Sequence, residues 1–188
     1  MREETHYCLF DTDLGACGVA WSGQGLTRLQ LPEADRGATE KRLRLSSPHS
    51  SAQAPPQQIE AVIEEVQRYM AGERVDFASA VLDLTGVASF YCAVYAAAQR
   101  VGWGETATYG ELARHTGAPG AARGVGQALS RNPIAVIIPC HRILASGNKV
   151  GGFSAFGGTV SKERLLGLEG VYLDAARAAG QLSLFEPT

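Results

Sequence analysis

Residues 108–132 read TYGELARHTGAPGAARGVGQALSRN. The first part, TYGELARHTG, predicts a short helix. The stretch after it holds Gly and Pro and predicts a turn, and Ala121 to Ser130 predicts a second helix. Two short helices joined in this way form a helix-turn-helix unit. Its second helix, AARGVGQALS, is made of small residues and lacks the Asn, Gln and Lys array that reads base edges in a major groove. Gly124 and Gly126 each cost about 1 kcal/mol of helix stability relative to alanine. A helix that accepts this cost brings its backbone close to something. One partner is the minor groove of a duplex, where Arg123 would act as a wedge that helps extrude a base. The other is a neighbouring helix, with Arg123 merely solvated. The helix alone leaves both open.

Working outward, SFYCAVYAAAQRVG predicts a helix from Ser89 to Arg100, and SAVLDLTG before it predicts the last strand of a first domain. Ile59, Val62, Ile63, Val66, Tyr69 and Met70 recur at helical spacing, an amphipathic helix stopped near Gly72. Residues 32–57 are polar and rich in Pro, Ser and Ala, so they predict a loop. Residues 6–31 alternate short β-prone runs with Gly and Asp turns, a strand meander. Downstream of the helix pair, PIAVIIP predicts a short buried strand or extended segment. RILASGNKVGGFSAFGG follows as a Gly-rich loop and VSKERLLGLEG as a closing helix. The fold class is α/β (α+β). A small N-terminal domain spans residues 1–85, a mainly helical domain with the helix-turn-helix spans 86–171, and a tail spans 172–188.

Composition narrows the function classes. The chain has 188 residues, 45% of them hydrophobic, enough for a real core. No apolar run approaches the roughly 18–20 residues that span a bilayer, so no membrane is expected. The acidic N-terminus lacks a signal-peptide core. Cys8, Cys17, Cys92 and Cys140 do not suggest a disulfide framework, which points to the cytoplasm. Cys8 and Cys17 lie nine residues apart, and with His6 and His49 they make no compact ligand pair, so no metal is expected. Charge is uneven. Residues 1–98 hold 8 Lys and Arg against 13 Asp and Glu, whereas residues 99–164 hold 8 against 3. A cationic second half fits phosphate neutralisation; chance clustering fits too.

Chemistry concentrates at residues 136–147, VIIPCHRILASG. Cys140, His141 and Arg142 follow an apolar run with no spacer. A thiol there is either a buried structural side chain or a nucleophile, and as a nucleophile it needs a pKa below the usual ~8.5. A thiol hydrolase would use the same Cys140 and a histidine, without needing the helix pair.

GETATYGELA, AARGVGQALSRNP, IPCHRI and KERLLGLEG occur in that order and at fitting spacings, and together they resemble the O6-alkylguanine-DNA alkyltransferases. The resemblance covers residues 86–171 motif by motif and residues 1–85 in layout, a ribonuclease H-like domain. It implies DNA repair: double-stranded DNA bound through the minor groove, O6-alkylguanine flipped out, and its alkyl group moved to Cys140. O4-alkylthymine is implied as a second substrate. The product is a dead-end S-alkylcysteine, so the enzyme acts once, without a cofactor, as a monomer. Residue by residue, His141 contacts the thiol through a water and Glu169 orients that histidine. Tyr109 donates to guanine N3, and Asn132 ties the recognition helix to the active-site segment. Arg123 fills the space left by the base, with Ala121, Ala122, Gly124, Gln127 and Arg131 beside it on the DNA-facing side. Ile143 offers a carbonyl to the base amine, while Phe153, Ser154 and Lys162 belong to the substrate pocket. Two stretches depart from the family pattern. Tyr91 and Tyr95 stand where Gln and Trp are usual, and GGFSAFGG has Phe153 for a tyrosine with Ala155-Phe156 inserted. These departures bear on alkyl preference. A DNA-binding protein that recognises alkyl damage with little or altered transfer is the other reading, beside the thiol hydrolase.

The tail holds QLSLF. It resembles the short peptide by which bacterial DNA-processing proteins dock on the sliding clamp. Gln181 would be the polar anchor, Leu184 and Phe185 the apolar ones, with Leu182 between. Folding of the tail onto its own domain is the alternative.

Overall fold

The computed structural model describes residues 4–147 and 149–173. Thr5–Thr12 (β1), Gly15–Ser22 (β2) and Gly25–Gln30 (β3) form the expected antiparallel meander, with a register shift between Ala20 and Trp21. One face of this sheet buries Cys17, Val19, Trp21, Leu26 and Leu29 in the main core.

Residues 32–57 are not the loop that their polarity predicts. Arg36–Ser46 form a helix (α1), and Ser50–Ala52 (β4) joins β1 in parallel, giving the strand order β3-β2-β1-β4. Asp35 caps α1 by accepting the amide of Ala38 at 2.8 Å. Thr39 and Leu43, four residues apart, are fully buried, and Leu43 packs with Tyr7 and Ala20 on the sheet's second face. A helix that buries so little has no strong apolar stripe, so tertiary contact rather than periodicity holds it.

Gln57–Met70 (α2) follows its pattern closely. Ile59, Val62, Val66, Tyr69 and Met70 are buried, and Gly72 ends the helix at φ 87, where a side chain would be strained. The predicted strand SAVLDLTG reduces to one bridge between Leu82 and Leu26. Asp83 then leaves the sheet edge to accept from Ser22 and from the Thr85 amide.

In the second half, Ser89–Ala98 (α3) ends two residues earlier than expected. Ala107–Thr108 (β5) leads into Tyr109–His115 (α4), and Ala122–Ser130 (α5) completes the helix-turn-helix. Thr108 and Glu111 cap α4 reciprocally. Val125, Ala128 and Leu129 are the buried face of α5. The run PIAVIIP is no strand either. It makes isolated bridges only, Leu29 to Ile134 and Ala135 to Ile138, around Val136 at φ 70. That conformation is costly for a β-branched residue; burial of Ile134, Val136, Ile137 and Ile138 offsets the cost. The turn delivers a single 3-10 turn, Cys140–Arg142, which continues into Ile143–Leu144 (β6), parallel to β5. The two-rung ladder holds Tyr109 beside the cysteine turn. Thr159–Leu168 (α6) closes the domain and ends at Glu169. One continuous core joins both halves, running from Tyr69 and Met70 to Val94, Tyr95 and Ile138. None of the described helices is long and apolar enough to cross a membrane.

Candidate active site

Cys140 opens the 3-10 turn and is only 7% exposed. Cys140 lines a cavity of about 220 Å3, room for several water molecules. Asn132, Phe153 and Ser154 line the cavity from the second half, and Arg28, Leu29 and Arg42 from the first. Asn132 sits just past α5 and spans two elements. Its Nδ2 donates to Ile138 O at 2.8 Å and to Cys140 Sγ at 3.2 Å, and its Oδ1 accepts from the Ile134 amide at 2.9 Å. Asn132 therefore joins the end of α5 directly to the segment from Ile134 to Cys140.

His141 is completely buried, and its Nε2–H donates to Glu169 Oε1 at 2.8 Å. That donation places the lone pair on Nδ1, which is buried and without a hydrogen-bond partner among the described residues. Glu169 collects more donors than the sequence suggested. Arg142 grips it through Nε and Nη2 at 2.9 Å each, the Gly104 amide lies at 3.2 Å, and the Tyr69 hydroxyl lies at 2.6 Å. Burial would raise the carboxyl, but the His141 and Arg142 donors outweigh it and hold Glu169 down at about 2. It is ionised at any working pH.

The thiol departs from expectation. Burial pushes Cys140 above its ordinary range, and the Asn132 N–H and the Lys162 charge only partly offset this. Burial likewise lowers His141, despite Glu169. At rest the pair is neutral thiol and neutral imidazole, not a thiolate. Desolvation decides this: at Cys140 it outweighs the Asn132 N–H and the Lys162 charge, and at His141 it outweighs the Glu169 carboxylate, helped by the Arg142 and Lys162 charges.

Around this centre, Lys162 is fully buried and donates from Nζ to Ile143 O at 2.5 Å. Its ammonium lies 5.8 Å from the Tyr109 ring, and burial brings its pKa down to about 8. The Ile143 carbonyl assigned to a base amine thus already holds one donor. Tyr109 is half-buried, with its hydroxyl 3.5 Å from Gly152 O, and burial keeps it protonated. Along α5, Arg123 and Gln127 are exposed, while Ala121 caps the helix and Ala122 begins it. A Cβ on Gly124 would lie 3.3 Å from the Phe90 ring, so that glycine answers to a neighbouring helix. Arg131 reaches over the Tyr91 ring at 6.0 Å. Gln181, Leu182, Leu184 and Phe185 lie outside the described residues.

Sequence reasoning missed Arg142 and Tyr69. Arg142 was in plain view beside His141, and a buried carboxylate calls for a cationic partner. Tyr69 read as one more residue of an apolar stripe, and nothing local marks its hydroxyl.

Both halves of the chain match known proteins. Residues 5–84 match the family model for the ribonuclease-like domain of 6-O-methylguanine DNA methyltransferase, and residues 89–171 match the model for its DNA binding domain. The methylated-DNA–protein-cysteine methyltransferase of Mycobacterium tuberculosis is 35% identical over 182 residues, covering 96% of this chain and 99% of that protein. The Methanothermobacter thermautotrophicus protein of the same name is 34% identical over 157 residues, 84% of this chain and 81% of that one. Among solved structures, Mycobacterium tuberculosis O6-methylguanine methyltransferase superposes with a TM-score of 0.72 at 36% identity, covering 97% of this chain and 99% of that one. The Mycobacterium tuberculosis protein in complex with DNA gives 0.71 at 36% identity, covering 96% and 99%.

Proposed function

The chain belongs to the family of 6-O-methylguanine DNA methyltransferases, and from that membership we propose a residue-level path for its reaction. The enzyme repairs alkylated DNA by direct reversal, moving the alkyl group from guanine O6 to a cysteine of its own. Cys140 is that cysteine. Its Sγ attacks the alkyl carbon, the S–C bond forms, and the C–O6 bond breaks with its electron pair going to the purine. The thiol proton passes through a bridging water to the Nδ1 lone pair of His141, which has no direct partner among the described residues, and Glu169 supports the imidazolium that results. Tyr109, protonated at working pH, donates to N3 as the base leaves. Protons balance in net: sulfur's proton rests on His141, the guanine's proton comes from Tyr109, and once the base leaves the imidazolium proton returns to the tyrosinate through solvent. The thioether is stable, so each chain turns over once.

A single observation carries this reading. Cys140 lines a cavity, with an amide N–H of Asn132 on its sulfur and a neutral, carboxylate-backed imidazole next in sequence. A neutral resting pair suits a single-use nucleophile. The thiol stays unreactive toward stray electrophiles until a base fills the cavity. DNA is the partner, and the exposed Arg123 on α5 is the residue assigned to occupy the gap left in the stack. QLSLF at the C-terminus would add docking on a sliding clamp, on the sequence pattern alone.

The experiment is intact-mass measurement after incubation with duplexes carrying methyl-, ethyl- or benzyl-guanine, comparing the native chain with Cys140→Ser. A gain of one alkyl group per native chain and none for Cys140→Ser is the expected outcome. Turnover on a thioester with no mass gain from DNA would put the thiol-hydrolase reading in its place. Co-elution with the clamp, lost on truncation before Gln181, tests the tail.

A further inference from the structure

The catalytic residues assigned above belong to the second half of the chain, but the network behind them does not. Tyr69 stands on α2, one hundred residues before Glu169. Its hydroxyl donates to Glu169 Oε1 at 2.6 Å and lies 3.1 Å from His141 Nε2, which itself lies 2.8 Å from the same Oε1. Three polar atoms therefore close a triangle, fully buried at the back of the imidazole. The Tyr69 ring is held in turn. Trp103 meets it edge-on at 5.5 Å and Phe77 at 5.7 Å, and the side chain has no solvent exposure.

We propose that Tyr69 is a positioning residue for alkyl transfer, supplied by the first domain and acting through Glu169 and His141. The proposal rests on the alkyl-transfer reading above and deepens it. Charge balance does not need this hydroxyl, because the Arg142 guanidinium already neutralises Glu169. What the hydroxyl adds is a third fixed point. With Glu169 alone, the imidazole could rock about one hydrogen bond. With Tyr69 Oη beside it, Nε2–H is confined between two oxygens. The opposite tautomer would set a lone pair against an ionised carboxylate. Nδ1 is thereby kept as the proton acceptor. An ordinary core tyrosine would need only some acceptor for its hydroxyl. Here that acceptor is the catalytic carboxylate, and the contact also reaches the catalytic histidine. The first domain is thus part of the active site and more than a scaffold for it.

The test compares Tyr69→Phe, His141→Ala and the double variant in the full chain. Three quantities are read: the single-turnover rate of mass gain on Cys140 at saturating O6-methylguanine duplex, the duplex concentration for half-saturation, and the unfolding midpoint. Phe keeps the ring and its packing. Tyr69→Phe should slow the chemical step about tenfold while half-saturation stays within about twofold, a pattern of lost transition-state support. In the His141→Ala background the same change should alter the rate by less than about twofold, because a residue that acts through His141 has nothing left to position. An equal slowing in both backgrounds, as general loosening would give, overturns the proposal; so does an unchanged rate. A second readout is independent of rate. The nitrogen NMR signals of His141, assigned by their loss in His141→Ala, should report a single Nε2–H tautomer in the native chain and a mixture in Tyr69→Phe. Identical tautomer signals in the two overturn the proposal. No mass gain in the native chain overturns the alkyl-transfer reading and the proposal with it. The earlier outcomes leave the native chain active, so the two failures are told apart.

Discussion

Replacing Glu169 by glutamine keeps the shape of the side chain and removes the charge on which Arg142, His141, Tyr69 and Gly104 converge. Its cost can be worked out in two ways. The carboxyl falls from an ordinary 4.5 to about 2 in the folded chain, a difference worth roughly 3 kcal/mol of stability at neutral pH. Independently, Arg142 is 9% exposed at the side chain and Glu169 not at all, and removing one partner of a buried pair costs about 3–5 kcal/mol. The two converge near 3 kcal/mol, which for a chain of this size lowers the melting temperature by about 6–12 °C. The pH dependence carries a sign. A carboxyl whose folded pKa is depressed stabilises fully above about 4.5, and loses that contribution as pH falls through about 2. The gap between native chain and Glu169→Gln should therefore be full at pH 7, about half as large at pH 3, and nearly absent at pH 2. Urea unfolding of both proteins at pH 7, 5 and 3 measures it, and titrations common to both cancel in the difference. A gap below about 1 kcal/mol at pH 7 would refute the reasoning. So would a gap that keeps its full size at pH 3.

Three further outcomes follow from the same site. Lys162→Met removes the buried charge that favours the Cys140 thiolate. Alkylation of Cys140 by iodoacetamide, followed by mass across pH 7–10, should then shift to higher pH, and an unmoved profile would count against Lys162 as a tuning residue. Asn132→Ala strips the N–H from Sγ and unpairs Ile138 O and the Ile134 amide. It should cost about 1–3 kcal/mol in urea unfolding and slow alkyl transfer to Cys140 by at least about tenfold, whereas full-rate transfer would remove Asn132 from the machinery. A Cβ on Gly126 would meet nothing closer than the Tyr109 ring at 3.9 Å, so Gly126→Ala should stabilise α5 by up to about 1 kcal/mol while weakening duplex binding. Unchanged binding would show that DNA does not approach the helix backbone there.

Legibility in the sequence followed a physical division. Strand alternation over β1 to β3, the stripe on α2 and the small-residue helix α5 were readable because each element's own side chains face one continuous core. Helix α1 was not, because it commits only Thr39 and Leu43 to burial and reads as polar linker. The segments SAVLDLTG and PIAVIIP have strand composition, yet each makes a single bridge to β3, Leu82 to Leu26 and Ile134 to Leu29, and no ladder. Strand propensity states what a segment can do; tertiary context decides whether it does.

By itself the sequence determined that a thiol, an imidazole and a guanidinium share one turn, and that a cap-to-cap helix pair precedes them, because covalent neighbours stay neighbours in any fold. Only the tertiary structure decided which groups surround that turn and in what charge state. Tyr69 reaches Glu169 across one hundred residues of chain, Arg142 turns back onto the same carboxylate, and water is excluded from Cys140 and His141 strongly enough to keep both neutral. Desolvation and long-range hydrogen bonds depend on what the whole chain packs around a group, and no local window of residues contains that information.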